Sequence, residues 1–131
     1  MNRVIKFRGK RIDNGEWVCG LLIEVKSSLA IIKCKKGSFL VDCNTVGQFT
    51  GLVDKNGKEV FEGDIISFYP DKFWNQYRSV VVYKEERCRF ELKCGDKFMH
   101  DVLHNHLSIV DVVVTGNIFD DKQLLKGGDN D

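Results

Sequence analysis

A chain of 131 residues, 43% hydrophobic and 30% charged, has the length and balance of a globular domain and is not a disordered tail. Twenty basic residues against nineteen acidic ones leave a net charge of +1, which excludes a global field drawing the protein to nucleic acid, anionic lipid or an acidic partner, so any such binding must be local. No apolar run reaches the roughly 20 residues of a membrane span, the first six residues carry no signal-peptide core, and the odd count of five cysteines reads as free thiols packed as small hydrophobes; a cytoplasmic protein with no membrane contact is expected.

Period-two alternation with β-branched and aromatic residues recurs at residues 4–7, 17–25, 30–34, 39–41, 65–69, 80–83, 89–92 and 112–115, with turn-formers between the runs. That rhythm predicts an all-β fold, either small curled sheets or an SH3-like β-barrel meander, with at most one or two short helical turns. Asp13-Asn14-Gly15 and Lys55-Asn56-Gly57-Lys58 place Asn-Gly between strands and predict hairpins with type I′ turns, which need positive φ at both central residues. Helical signal is confined to two places: Phe98, Met99, Val102, Leu103 and His106 lie at helix-like offsets, and Asp120 is placed to cap a turn through Gln123, Leu124 and Leu125. Residues 1–125 read as one β domain, divisible into two small lobes at about 1–50 and 51–125, and residues 126–131 as a frayed tail.

Little in the chain points to catalysis. On a helix His100 and His104 would share a face, a spacing that metal sites exploit. The zincin pattern, however, needs glutamate directly after the first histidine, where this chain has Asp101, and no third ligand follows at a diagnostic spacing. Cys94, the cysteine nearest the histidines, lacks a nucleophile's surroundings, and there is no P-loop, GxGxxG or paired-carboxylate motif. The sequence therefore nominates no catalytic residue, no metal ligand and no cofactor, and a non-enzyme is expected.

Binding chemistry is better represented. Lys6-Phe7-Arg8-Gly9-Lys10-Arg11 holds four cations in six residues, with Trp17 one hairpin away. Arg8, Lys10, Arg11 and Trp17 together have the chemistry of a single-stranded nucleic-acid surface, because phosphates reward lysine and arginine and aromatic rings stack on bases. The near-zero net charge favours a plainer reading, in which the cations line the solvated face of the first strand while Val4 and Ile5 or Phe7 help fill the core. Phe73, Trp74 and Tyr77 fall in an aromatic-rich loop; they either cover the open end of a barrel or form a patch for a partner or second subunit. Gln48 and Thr50 share one strand face, where they tie down a neighbouring loop or meet a ligand.

Four motifs occur in order: Phe7-Arg8-Gly9-Lys10 with Gly15-Glu16-Trp17-Val18; Thr45-Val46-Gly47-Gln48-Phe49-Thr50-Gly51-Leu52; Asp54-Lys55-Asn56-Gly57-Lys58-Glu59-Val60-Phe61-Glu62-Gly63-Asp64-Ile65; and Val114-Thr115-Gly116-Asn117-Ile118-Phe119-Asp120. Together, from about Ile5 to Leu125, they resemble the YopX family. The resemblance implies a β-rich fold, a phage or prophage gene in a bacterial cell, and a family with no established activity, so it carries over no active site. The expectation is a phage or prophage accessory protein that binds a host or phage macromolecule. Single-stranded nucleic-acid binding and sequestration of a small nucleotide are the alternatives, and exposed sheet edges favour a homo-oligomer.

Overall fold

The period-two runs become strands because each finds an antiparallel neighbour and hides one face. The computed structural model of the chain describes residues 3–68, 77–94, 97–102 and 112–125, and among these the secondary structure is strand apart from short helical turns. The fold is all-β, built from small curled sheets, and divides into two compact units, Met1–Gly51 and Leu52–Asp131.

In the first unit, β1 (Phe7–Lys10), β2 (Trp17–Lys26), β3 (Leu29–Cys34), β4 (Gly37–Asp42) and the start of β5 (Gly47–Val53) form an antiparallel sheet in the order β4-β3-β2-β1-β5. Its inner face buries Ala30, Ile32 and Val41, against which Phe7, Val18, Leu22, Cys43 and Val46 pack. The sheet curls until Arg11 forms an isolated bridge with Val41 and the Ile12 amide donates to the Leu40 carbonyl. Lys10 N adds a bond to Thr45 Oγ1 at 2.9 Å. The curl stops short of a closed barrel. It depends on Gly9, since a Cβ there would lie 2.8 Å from Val41 Cγ2, inside contact distance.

The second unit opens on the end of β5 and β6 (Glu59–Phe61). It continues through β7 (Asp64–Phe68), β8 (Tyr77–Lys84), β9 (Arg89–Cys94), β10 (Lys97–Val102) and β11 (Val112–Asn117), with sheet order β10-β9-β8-β7-β11. Val60, Ile66, Val81, Leu92, Val112 and Val114 form its core, with Leu52 and Phe90 packed on it. Asp54 organises the turn before β6. Its Oδ1 accepts from Asn56 N and Lys58 N, and its Oδ2 accepts from Val114 N of β11, each at 2.9 Å.

Four sequence expectations change. Strand β1 starts at Phe7, and Val4 and Ile5 are exposed before it, so only Phe7 reaches the core. Neither hairpin uses a type I′ turn, because Gly15 and Gly57 have positive φ while Asn14 and Asn56 do not. Each asparagine precedes a left-handed glycine instead, and the turns carry extra residues: Gly15 N bonds to Arg11 O, and Gly57 N to Asp54 O. The helical offsets at 98–102 give way to strand β10, since pairing of Lys97 with Cys94, Phe98 with Lys93 and Val102 with Glu91 satisfies the backbone across the sheet. The short helix at 123–125 is present, but Asn117 organises the chain ahead of it: its Oδ1 accepts from the amides of Phe119 and Asp120.

Candidate binding surface of the first unit

Because side chains alternate along a strand, Phe7 and Gly9 turn inward and Arg8 and Lys10 outward. The register with β2 pairs Arg8 with Cys19 and Lys10 with Trp17, which brings both cations to one indole. The Arg8 guanidinium lies 4.8 Å from the Trp17 ring centre and the Lys10 ammonium 5.8 Å. On the β5 side Lys6 stands 4.9 Å from the ring of Phe49. Each contact is a cation–π interaction, worth roughly 0.5–1 kcal/mol where solvent reaches it. The effect is a row of positive charge held in fixed directions by aromatic rings.

The other nominated residues divide. Arg11 does not join Arg8 and Lys10. It follows the inward alternation and lies 4.4 Å from the ring of Phe39, with its guanidinium paired to Asp13 at 2.6 Å. Gln48 stands opposite Phe7, so it and Thr50 share the face away from Arg8. Phe73 and Trp74 lie outside the described residues, and Tyr77 opens β8 with its side chain likewise outside them. His100 sits in strand β10 and not on a helix, and His104 and His106 lie outside the described residues.

Two features escaped the sequence reading. The first is an apolar outer face on β2, β3 and β4: Ile31 and Leu40 pair directly across the strands, and Leu21, Ile23 and Leu29 stand around them. Leu21, Ile23 and Leu40 are 57%, 54% and 46% exposed. The signal was available in Leu21-Leu22-Ile23 and Ile31-Ile32, because a strand with one wet face needs an apolar residue only at every second position. The second is a set of three buried carboxylates in the second unit, Asp54, Asp64 and Glu91. Burial works to raise the Asp54 pKa, but backbone donors from Val114, Lys58 and Asn56, with the Lys58 charge, overcome it and hold the carboxyl below its ordinary value of 3.8.

Glu91 is fully buried on the face of β9 opposite Leu92. Its Oε2 accepts from Arg89 Nε at 2.6 Å and from an Arg87 guanidinium nitrogen at 3.1 Å, while Oε1 is buried with no hydrogen-bond partner. The Arg89 hydrogen bond, reinforced by Arg87 and opposed by burial, lowers its pKa. Among the described residues no group of three or more histidine, cysteine, aspartate or glutamate side chains is placed to hold a metal ion, and no helix is long and apolar enough to cross a membrane.

The architecture has a solved counterpart. The crystal structure of protein EF1440 from Enterococcus faecalis superposes with a TM-score of 0.60 at 24% identity, covering 95% of this chain and 99% of that one, a likeness that bears on the fold. No curated protein matches the chain. The YopX protein family model matches residues 6–126, from the cation row of β1 to the helical turn after β11. With all four sequence motifs inside that span, the chain belongs to the YopX family.

Proposed function

We propose that this protein acts by binding a macromolecule and not by catalysis, as a phage or prophage accessory protein working in the cytoplasm of a bacterial host. The observation that carries this reading is the outward row of Arg8 and Lys10 against Trp17, which fits an anionic contact surface on the partner. Ring-stacked cations lose less conformational freedom on binding than free ones, so the row is pre-organised for that contact. Capture from host lysate with the wild-type protein and an Arg8→Ser/Lys10→Ser variant tests it. One or more partners held by the wild type and lost by the variant are expected. A partner retained equally by both, or none above background, overturns it.

A second reading, single-stranded nucleic acid as the macromolecule, is favoured by spacing. Alternate residues of an antiparallel strand lie roughly 6.8 Å apart, so Lys6, Arg8 and Lys10 repeat at an interval comparable with that of phosphates on an extended strand. Fluorescence polarisation with a labelled oligonucleotide then shows affinity falling with salt at a log–log slope of about −2 for three phosphates. Arg8→Ser reduces that slope by about 0.7. Absence of binding at low salt removes this reading and leaves a protein partner.

A further inference from the structure

In the second unit two arginines converge on one buried carboxylate. The turn Glu85–Arg87 ends at Cys88, which takes the left-handed conformation at φ 52 and donates its amide to Glu85 O at 3.2 Å. The chain thereby doubles back, and Arg87 reaches the same Glu91 oxygen as Arg89, which comes from the strand itself. A guanidinium satisfies a carboxylate best as a fork, with two parallel bonds to its two oxygens. Here each arginine gives one nitrogen to Oε2, Arg89 through Nε and Arg87 through a terminal nitrogen, and Oε1 stays buried without a partner.

Both guanidiniums therefore keep most of their N–H donors without a partner among the described residues, on side chains that are 50% and 38% exposed. One carboxylate charge also faces two guanidinium charges, which leaves a positive charge uncompensated at the water-facing edge. Lys84 stands opposite Arg89 across the sheet, and Lys93 follows Glu91 on the same face of β9. The turn adds the exposed carboxylates of Glu85 and Glu86, of which Glu86 is paired with Lys84 at 3.6 Å. We propose that Arg87 and Arg89 form a phosphate site, in which one phosphate group bridges the free edges of the two guanidiniums. Both arginines reach a single oxygen of Glu91, so they stand close enough for the oxygens of one anion to reach both. A tetrahedral phosphate accepts from two forks at once, whereas a carboxylate offers two oxygens in one plane. Glu91 is the positioning residue: fully buried and held ionised by the Arg89 hydrogen bond, it fixes both side chains before the ligand arrives. Arg8, Lys10 and Trp17 belong to the other unit, so this site stands or falls independently of the function proposed above.

Titration of the full chain with inorganic phosphate in a phosphate-free buffer tests it, followed by calorimetry and by the NMR signals of the arginine Nε–H groups. Saturable binding with movement of the Arg87 and Arg89 signals is expected. Arg87→Gln, which leaves the shorter Arg89–Glu91 bond in place, weakens binding by about tenfold or more, and Arg87→Lys, which keeps the charge but loses the fork, by about threefold. Arg8→Ser/Lys10→Ser binds phosphate as the wild type does. Adenosine monophosphate bound as well as phosphate assigns the group to an ester, and phosphate bound alone assigns the free ion; either supports the site. Arginine signals that stay in place at millimolar phosphate, acetate bound as tightly as phosphate, or a folded Arg87→Gln variant with undiminished affinity overturns the proposal.

Discussion

The two units solve the small-sheet problem in opposite ways. The first gathers Ala30, Ile32 and Val41 into a small buried apolar cluster and leaves eight large hydrophobes exposed, among them Leu21, Ile23 and Leu40. The second closes a six-residue apolar core and also buries polar groups, among them Asp54, Asp64, Ser67, Ser79 and Glu91. A buried carboxylate is tolerated only when donors replace its water, and Asp54 has three backbone amides while Asp64 accepts from Phe61 N at 2.7 Å. The second unit is thus specified by internal hydrogen bonds, whereas the first leaves more large apolar side chains exposed.

The sharpest way to break this contrast is Asp54→Ala. It strands the amides of Val114, Asn56 and Lys58, and a loss of about 3 kcal/mol is expected in urea unfolding followed by a probe in the second unit. A loss below about 1 kcal/mol means that water replaces the carboxylate and that the turn is held by other bonds. Gly9→Ala makes the corresponding test in the first unit, where a Cβ meets Val41 Cγ2; about 1–3 kcal/mol is expected, with Val41→Ala in the same chain recovering part of it.

Acid sharpens the comparison further. The folded-state pKa values of Asp54 and Glu91 are both held below their ordinary values of 3.8 and 4.5, so their contribution to stability is complete above those values and disappears as pH falls through the folded ones. Denaturation midpoints measured from pH 6 down to pH 2 should therefore drop below about pH 5, and Asp54→Asn should flatten the drop. An unchanged profile in that variant shows that other carboxylates carry the acid transition. The smallest effect belongs to Val4→Asp, within about 0.5 kcal/mol of wild type, because Val4 is exposed ahead of β1. A larger loss restores the reading in which Val4 fills the core.

Much of this fold was legible because alternation is a local property. Runs such as Ala30-Ile31-Ile32 and Val80-Val81-Val82 announce strands wherever the chain carries them, and Asn-Gly marks the hairpins even though the turns proved longer than two residues. The cation row was legible for the same reason: Arg8 and Lys10 alternate with Phe7 and Gly9, and only their meeting with Trp17 required the register.

What alternation cannot convey is which distant strand supplies a partner. The residues of β10 satisfy helix offsets and strand pairing alike, and the backbone of β9 decided between them. Arg11 is only one residue beyond Lys10, yet the curl of the sheet carries it to Phe39 and away from Arg8. Asp54 reads as an ordinary turn aspartate until Val114, sixty residues later, donates to its second oxygen. The sequence by itself located most of the strands, the two Asn-Gly hairpins and the family. The tertiary structure alone decided which cations stand together, which carboxylates are buried and which apolar face is left exposed, because each of these depends on contacts between residues far apart in the chain.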